Sequence, residues 1–336
     1  MHRLIIRFFL TVLLLLSCSF AYADFDELSD ITTELGLKSE DHKKIMAGKI
    51  LTVDLPETTD KMLSQALVLF VPASADKIAD LVFSDRVFIS DIEVLFAGRI
   101  DPNKVNESMA KLGFSAKESG ELKLLQQVKA GDTFNLSSEE ISQINKSVAS
   151  GKASAEDISS VYRNILAGRV KAYLKSGIAG VAPYDRGNGA GVNVANELGA
   201  MAKAASLLSK SSPGLYRAFI DYPNNQSLHI EHDFYWVKRT VQDRPNFVLQ
   251  HRIIERRPDG FVLLKREFFS GHSYNASQLV IGAFTVRGGT LVFTLIRSTT
   301  DQVAGFMSKA RHRLGRDVFR VELLKRFKAL RAQLVK

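Results

Sequence analysis

Residues 299–336, TTDQVAGFMSKARHRLGRDVFRVELLKRFKALRAQLVK, decide the fold of this chain. Apolar residues recur there in steps of three and four, which predicts one long amphipathic helix with a single apolar face. At 1.5 Å per residue the helix is about 50 Å long, so it requires a broad apolar surface beneath it. The predicted face consists of Val303, Met307, Ala310, Leu314, Val318, Val321, Leu324, Phe327, Leu330 and Leu334.

The stretch directly before this helix supplies such a surface, because its apolar period changes to two. Five strands are predicted, at residues 230–239, 247–255, 261–269, 279–286 and 290–297. The turn sequences RPDG at 257–260 and RGG at 287–289 predict hairpins. A curved sheet under a long helix leaves a hollow, and hollows of that kind hold apolar ligands.

The remainder of the chain divides into two parts. Residues 24–104 are predicted to form N-terminal helices and the first strands, including a strand at 62–71 and a short helix capped by Ser74. Residues 105–225 are different in kind, with helical periodicity and a glycine-rich loop at 184–192. We predict an α+β fold in which 105–225 is a large helical insertion and 226–336 completes the sheet and its helix.

This order of elements resembles the helix-grip fold of the START-like, or SRPBCC, superfamily. Residues 62–83 resemble its first strand and helix, and residues 302–336 resemble its gripping helix. The segments FFSGHSYNASQL at 268–279 and IRSTTDQVAGF at 296–306 are similar to segments of a group of exported bacterial proteins with this layout. The resemblance implies an apolar cavity between sheet and helix, and it implies no catalytic residue.

The N-terminus predicts export. Residues 1–23 combine a basic start, a short apolar run and the small-x-small motif Ala21-Tyr22-Ala23, which together predict a secretory signal peptide and a periplasmic protein. A second interpretation is a lipoprotein anchored through Cys18, the single cysteine. With cleavage after Ala23 the mature chain contains no cysteine, so burial rather than disulfides has to stabilise it.

Composition and charge limit the partners. The chain of 336 residues is 46% hydrophobic, enough for a substantial core, and its formal net charge is +9. Residues 302–336 contain ten Lys or Arg against Asp317 and Glu322. Two interpretations of this basic helix stay open, an anionic membrane surface and a solvated helix face. Nucleic acid is not a predicted partner of an exported protein.

Polar residues within apolar strand faces are the candidates for a site. His232 alternates with Phe234 and Trp236, His251 with Leu249, and Arg297 with Leu295. If these faces line the hollow, both histidines and the arginine point into it, and an arginine there can bind a carboxylate or phosphate. The predicted ligand-binding residues are Phe234, Trp236, His251, His272, Tyr274 and Arg297.

Each candidate also has a purely structural interpretation. Arg297 can form a salt bridge with Glu267 or Asp301, and His272 and Tyr274 can be hydrogen-bonded locally in a turn. No metal site and no cofactor is predicted, because the chain has no zinc-binding helix motif and no cysteine cluster.

Three functions follow from these patterns. The first is binding or transfer of a lipid or another large apolar molecule in the cavity. The second is an enzyme of the cyclase or dehydratase type that uses His251 or His272 as acid or base. The third is an envelope interaction protein whose middle helices bind a partner.

Overall fold

The computed structural model describes residues 32–33, 35–84, 88, 91, 93–149, 153–224, 227–305 and 307–334. The predicted signal peptide and Cys18 lie outside these residues. Among the described helices, none has both the length and the apolar composition needed to cross a membrane.

The first part of the chain supplies the edge strands of the sheet. Strand β2 is mostly apolar, is buried on both faces and ends directly before Pro72. The Ser74 side chain then accepts a hydrogen bond from the Lys77 amide to start a helix. The elements are α1 (Ser39–Met46), β1 (Leu51–Asp54), β2 (Met62–Val71), α2 (Ala75–Phe83) and β3 (Val94–Ile100).

The middle of the chain is helical, as its period indicates. Ser137 and Glu140 form a capping box at the start of one helix, and Ser154 and Asp157 form another. The elements are α3 (Val105–Ser108), α4 (Ser119–Gln126), α5 (Ser138–Val148), α6 (Ala155–Ser176), β4 (Tyr184–Gly187), β5 (Ala190–Val192), α7 (Val194–Lys203), α8 (Ser206–Ser211) and α9 (Pro213–Ile220). The glycine-rich segment 184–192 is therefore a two-stranded hairpin rather than a loop.

The last part confirms five consecutive strands followed by a long helix. The elements are β6 (Ile230–Val241), β7 (Arg244–Arg257), β8 (Gly260–Ser270), β9 (Ala276–Val286), β10 (Gly289–Thr299) and α10 (Ser308–Leu334). The helix begins at Ser308 and not at residues 299–301, where a short 3-10 turn, Asp301–Val303, connects it to β10.

Eight strands form one antiparallel sheet in the order β1-β2-β10-β9-β8-β7-β6-β3. Strand β2 pairs with β10, so the first long strand closes against the last one across the insertion. The predicted α+β class is confirmed, and this strand order with a long C-terminal helix is compatible with a helix-grip fold. The domain boundaries predicted at 104/105 and 225/226 stay a prediction.

The two faces of the sheet carry different layers. Helices α2 and α10 pack on one face, here called the helix face, through residues such as Leu69, Val292 and Phe327. The helices of segment 105–222 pack on the opposite face, here called the insertion face, where they form two separate apolar clusters with the strands.

Only part of the apolar stripe predicted for α10 faces the sheet, because Phe327 and Leu334 are buried there but the middle of the stripe is not. Leu314, Val318 and Val321 are exposed, and so is Met307 directly before the helix. Besides Phe327, the buried face carries two residues outside the predicted stripe, His312 and Leu323, with His312 bonded to Glu57 at 2.8 Å. The helix thus packs on the sheet through a narrower set of apolar residues than the period predicted.

Candidate functional site

The space between the sheet and α10 is filled with side chains. The opening beneath the helix measures about 20 Å³ and is closed by Leu69, Val292, Phe327 and Leu334. A second opening on the helix face, beside α2, measures about 110 Å³. Neither opening can hold a drug-sized ligand, which requires about 300–1,000 Å³. The prediction of a ligand cavity beneath α10 is therefore wrong for the described residues.

Five of the residues expected in that cavity lie on the insertion face instead. Phe234 and Trp236 belong to the apolar cluster formed with the insertion helices. Trp236 donates through Nε1 to the Ser108 carbonyl at 3.0 Å, across the layer boundary. His232, His251 and Arg297 share this face by strand alternation and by their contacts. Their role in ligand binding stays a prediction, now for a site on the insertion face and not beneath α10.

His272 and Tyr274 are held by local contacts at the end of β8. His272 bonds through Nδ1 to Ser273 Oγ at 2.6 Å and through Nε2 to the Pro245 carbonyl at 3.3 Å. Burial, together with the charge of Arg244, lowers the pKa of His272 to about 4, so the ring is neutral at pH 7.

Tyr274 is tied to an acid rather than to a cavity. Its hydroxyl donates to Glu267 Oε2 at 2.7 Å. Burial opposes the ionisation of Glu267, but Lys265 and Arg239 outweigh it and lower the pKa of that carboxyl to about 2. Both side chains thus belong to a charge cluster on the helix face, which separates Tyr274 from the histidines.

A row of polar residues crosses the insertion face. Directly opposite one another on five adjacent strands lie Ser64, Arg297, Gln278, Arg266 and His251. Four strand spacings of about 4.8 Å give this polar row a length of about 19 Å. The row lies between the two apolar clusters of the face, with Leu295 and Val280 on one side and Met62 and Ala276 on the other.

The polar row contains buried atoms without hydrogen-bond partners in the described structure. They are Ser64 Oγ, Arg297 Nε, Arg266 Nε and both amide atoms of Gln278. All four residues are at most 6% exposed. Because an unpaired buried polar group costs about 1–3 kcal/mol, these atoms require partners from outside the described residues, either water or another bound molecule.

Arg297 has no acidic partner among the described residues. Asp301 pairs with Lys61 and Arg186, and Glu267 pairs with Lys265. Neither of the two acids considered from the sequence therefore neutralises Arg297. Burial alone lowers the pKa of the Arg297 guanidinium to about 10. A buried cation of this kind is stable only at a cost unless an anion joins it.

Arg266 begins a directional chain of hydrogen bonds. Its Nη1 donates to the Tyr173 hydroxyl at 2.9 Å, and its Nη2 donates to the Phe219 carbonyl at 2.8 Å. Because arginine can only donate, the tyrosine proton is directed to His251 Nδ1, 2.9 Å away. His251 Nε2 then donates to His232 Nδ1 at 2.9 Å.

The series of hydrogen bonds that begins at Arg266 ends at His232, on a donor without a partner among the described residues. Burial, His232 and Arg266 hold the pKa of His251 well below its ordinary value, and burial also lowers the pKa of His232. Both rings are therefore neutral at pH 7, and His232 carries its proton on Nε2. That buried nitrogen has no partner in the described part of the chain, so the end of the chain offers an N–H to an acceptor.

A pocket of about 870 Å³, open to solvent, lies beside this series of hydrogen bonds. It is bounded by the end of α6, the start of α7 and the end of α9. Of these helices, α7 packs on β9 and α9 packs on β7. Tyr222 lines it, and its ring lies 4.5 Å from that of His251. The remaining lining residues are Ser176, Ile178, Ala179, Ala195, Asn196, Ile220, Asp221 and Asn224.

Sequence reasoning missed Arg266, Gln278, Tyr173 and Tyr222. The first two interrupt apolar alternation in β8 and β9, as Arg297 does in β10, so the same signal was present. Tyr173 and Tyr222 come from the insertion, and no strand pattern could bring them to the histidines. Among the described residues, no group of three or more His, Cys, Asp or Glu is placed to hold a metal ion.

Comparison with known proteins adds little to this geometry. No protein-family model and no curated protein matches the chain. Among solved structures, the crystal structure of Ara h 8.0201 is similar over 41% of this chain and 87% of that chain, with 13% sequence identity and a TM-score of 0.20. The relation to the helix-grip superfamily therefore stays a resemblance, carried by the order of strands and helices.

Proposed function

We propose that this protein binds an apolar molecule that carries one acidic group, and that it does so between the helical insertion and the sheet. The observation that carries the proposal is the pair of buried arginines, Arg266 and Arg297, which have no carboxylate partner in the described structure. They flank Gln278 on neighbouring strands, so one anion placed over Gln278 is within reach of both guanidinium groups.

The free polar atoms fit an acceptor-rich ligand group. Nitrogen donors without partners occur at Arg266, Arg297, Gln278 and His232, whereas the acceptors in this set are the Gln278 carbonyl oxygen and the Ser64 hydroxyl, which also donates. A carboxylate or a phosphate offers several acceptor lone pairs and a negative charge, and charge-assisted hydrogen bonds are about twice as strong as neutral ones.

The surroundings fit an apolar body. Apolar side chains of both clusters border the polar row on either side. The 870 Å³ pocket beyond Tyr222 adds apolar Ile178, Ala179 and Ile220, and its wall also contains polar side chains, namely Ser176, Asn196, Asp221 and Asn224. A volume of this size accommodates a drug-sized or lipid-like molecule. A fatty acid and a lipid phosphate share the required chemistry, and both agree with an exported lipid-binding or transfer protein.

Export is part of the proposal and rests on the sequence of residues 1–23, with a periplasmic location as the expected outcome. Anchoring through Cys18 is the alternative. Mass spectrometry of the protein isolated from the producing cell distinguishes the two, because cleavage after Ala23 leaves an unmodified chain that begins at Asp24, whereas a lipoprotein begins at an acylated Cys18.

Catalysis by His251 has weaker support than binding. Its ring is fully buried and engaged at both nitrogens, and it is neutral at pH 7. A general base needs reach to a substrate proton. In the variant His251→Gln, ligand binding is expected to stay measurable. If the original chain converts a bound molecule to product and this variant does not, the result favours the hypothesis of an enzyme.

Binding is tested with matched probes. After removal of bound lipid, palmitate, hexadecanol and dodecyl phosphate are titrated against dansyl-undecanoic acid bound to the protein. We expect the two acids to displace the probe at least tenfold more strongly than hexadecanol. Arg297→Met removes that preference, whereas Arg256→Met, at an exposed arginine paired with Glu231, preserves it. Equal displacement by all three compounds contradicts the acidic group, and absence of any binding or co-purified lipid contradicts the function.

A further inference from the structure

Helix α10 presents an apolar stripe to solvent. Leu314, Val318 and Val321 are 67%, 58% and 63% exposed, and their spacing of four and three residues places them in one row of about 10 Å. Met307, 63% exposed, extends the row before the helix starts. Single exposed apolar residues are common on protein surfaces, but a continuous row along one helix indicates an interaction site.

The stripe is not required for packing of the helix. The opposite side of α10 already holds it to the sheet through Leu323 and Phe327, and through His312, which bonds to Glu57 and to the Asp60 carbonyl. The exposed row therefore adds nothing to the core that the described residues form.

Basic residues surround the stripe. Of the arginines nearer the sheet, Arg316 pairs with Glu57 and Arg320 with Asp54, so their charges are compensated. The exposed charged residues that form no ion pair within the described structure are Lys309, Arg311, Arg313, Lys325 and Lys328. The exposed acid on this helix is Asp317, so the exposed residues named here carry five positive charges and one negative charge, a net of +4.

We propose that α10 docks in the plane of an anionic phospholipid surface, with Leu314, Val318 and Val321 inserted at the boundary between headgroups and acyl chains. An interfacial helix combines an apolar face with flanking Lys and Arg, as this helix does. Each basic residue near an anionic bilayer strengthens binding about fivefold. A second copy of the chain is a poorer occupant, because pairing two such faces brings like charges together.

This proposal is independent of the ligand site, which lies on the other face of the sheet. If both hold, the acid-binding site faces away from the bilayer while the protein is docked. The arrangement implies that α10 holds the protein at a membrane and that the pocket beside Tyr222 stays accessible from the aqueous side.

Vesicle co-sedimentation with the full chain tests the docking. The probes are vesicles of phosphatidylcholine alone and of phosphatidylcholine with about one-third phosphatidylglycerol, the latter at low and high salt. We expect binding to the anionic vesicles only, weakened at high salt. The triple variant L314S/V318S/V321S lowers the affinity at least tenfold, and K325Q/K328Q lowers it by about 25-fold at low salt.

Two controls identify the surface. Phe96 on β3 is also strongly exposed, at 68%, so F96S removes an apolar residue outside α10 and should leave binding unchanged. In V318W the new indole is quenched by lipids brominated near the headgroup, whereas the buried Trp236 is not. Equal binding to both vesicle types, an unaffected triple variant, or a dimer that dissociates on the triple substitution would each overturn the proposal.

Discussion

Replacing Arg297 by Met is expected to stabilise the ligand-free protein. Arg297 is 6% exposed and has no anionic partner among the described residues, and burial lowers the pKa of its guanidinium to about 10. This lowering of the pKa means that folding disfavours the charged guanidinium by about 3 kcal/mol. Methionine has a similar length and no charge, so it removes this cost without opening a large cavity.

The expected gain in the free energy of unfolding at pH 7 is about 1–3 kcal/mol, which agrees with replacements of other buried charges by apolar residues. The melting temperature should rise by about 2 °C for each kcal/mol in a chain of this size. Urea unfolding of the delipidated protein measures the change, with the chain purified under identical conditions.

Arg266→Met is the matched control. Arg266 is equally buried, but its guanidinium donates to Tyr173 and to the Phe219 carbonyl, so its loss leaves two buried acceptors unpaired. This variant should be less stable than the original chain by about 2 kcal/mol or more. The two arginines of the row are therefore expected to have opposite effects on stability.

Ligand binding is expected to reverse the order of stability between the original chain and R297M. A bound acid stabilises the original chain by an amount that grows with the ratio of the free acid concentration to the dissociation constant. The same acid should stabilise R297M much less. If R297M unfolds more easily than the original chain without ligand, then Arg297 is already compensated and the argument for an anion over Gln278 fails.

Three further predictions concern single contacts. Because burial depresses the folded pKa of His272 to about 4, its contribution to stability is complete above pH 6.5 and is lost as the pH falls towards 4. The loss amounts to up to about 3 kcal/mol. H272Q should therefore flatten the curve of unfolding free energy against pH between these values, and an unchanged slope would contradict the assignment. Arg169→Met should cost about 3–5 kcal/mol in urea unfolding, because Arg169 lies 2.6 Å from the buried carboxylate of Glu140; a change below 1 kcal/mol would mean that this pair is solvated. Gly98→Ala places a methyl group 2.4 Å from the Trp236 indole nitrogen and should cost about 1–3 kcal/mol with a shift in the emission of the single tryptophan, whereas unaltered emission and stability would show that β3 can move away.

Most of the strands could be predicted because their signals are local. A mostly apolar run of ten residues and a following proline indicate the strand Met62–Val71, and the turn sequence RPDG separates β7 from β8. The long C-terminal helix was predicted for the same reason, although its first residue was placed too early. Local patterns of this kind depend on residues within one or two turns of each other.

The candidate site could be predicted only in part. The polar interruption of an apolar strand face indicated His251 and Arg297, and the same criterion applied to β8 and β9 would have added Arg266 and Gln278. That these residues form one row depends on the register of five strands, and the contact with Tyr173 depends on how α6 crosses the sheet. Neither is encoded in a short stretch.

The sequence by itself determined that a long basic helix follows an antiparallel sheet, since periodicity and turn chemistry act over a few residues. The tertiary structure alone decided the orientation: alternation gives every strand two faces, and both faces of this sheet are apolar and buried. Which face receives the helix and which the insertion depends on packing between distant segments. This choice turned Leu314, Val318 and Val321 towards solvent and placed Arg297 beneath the insertion.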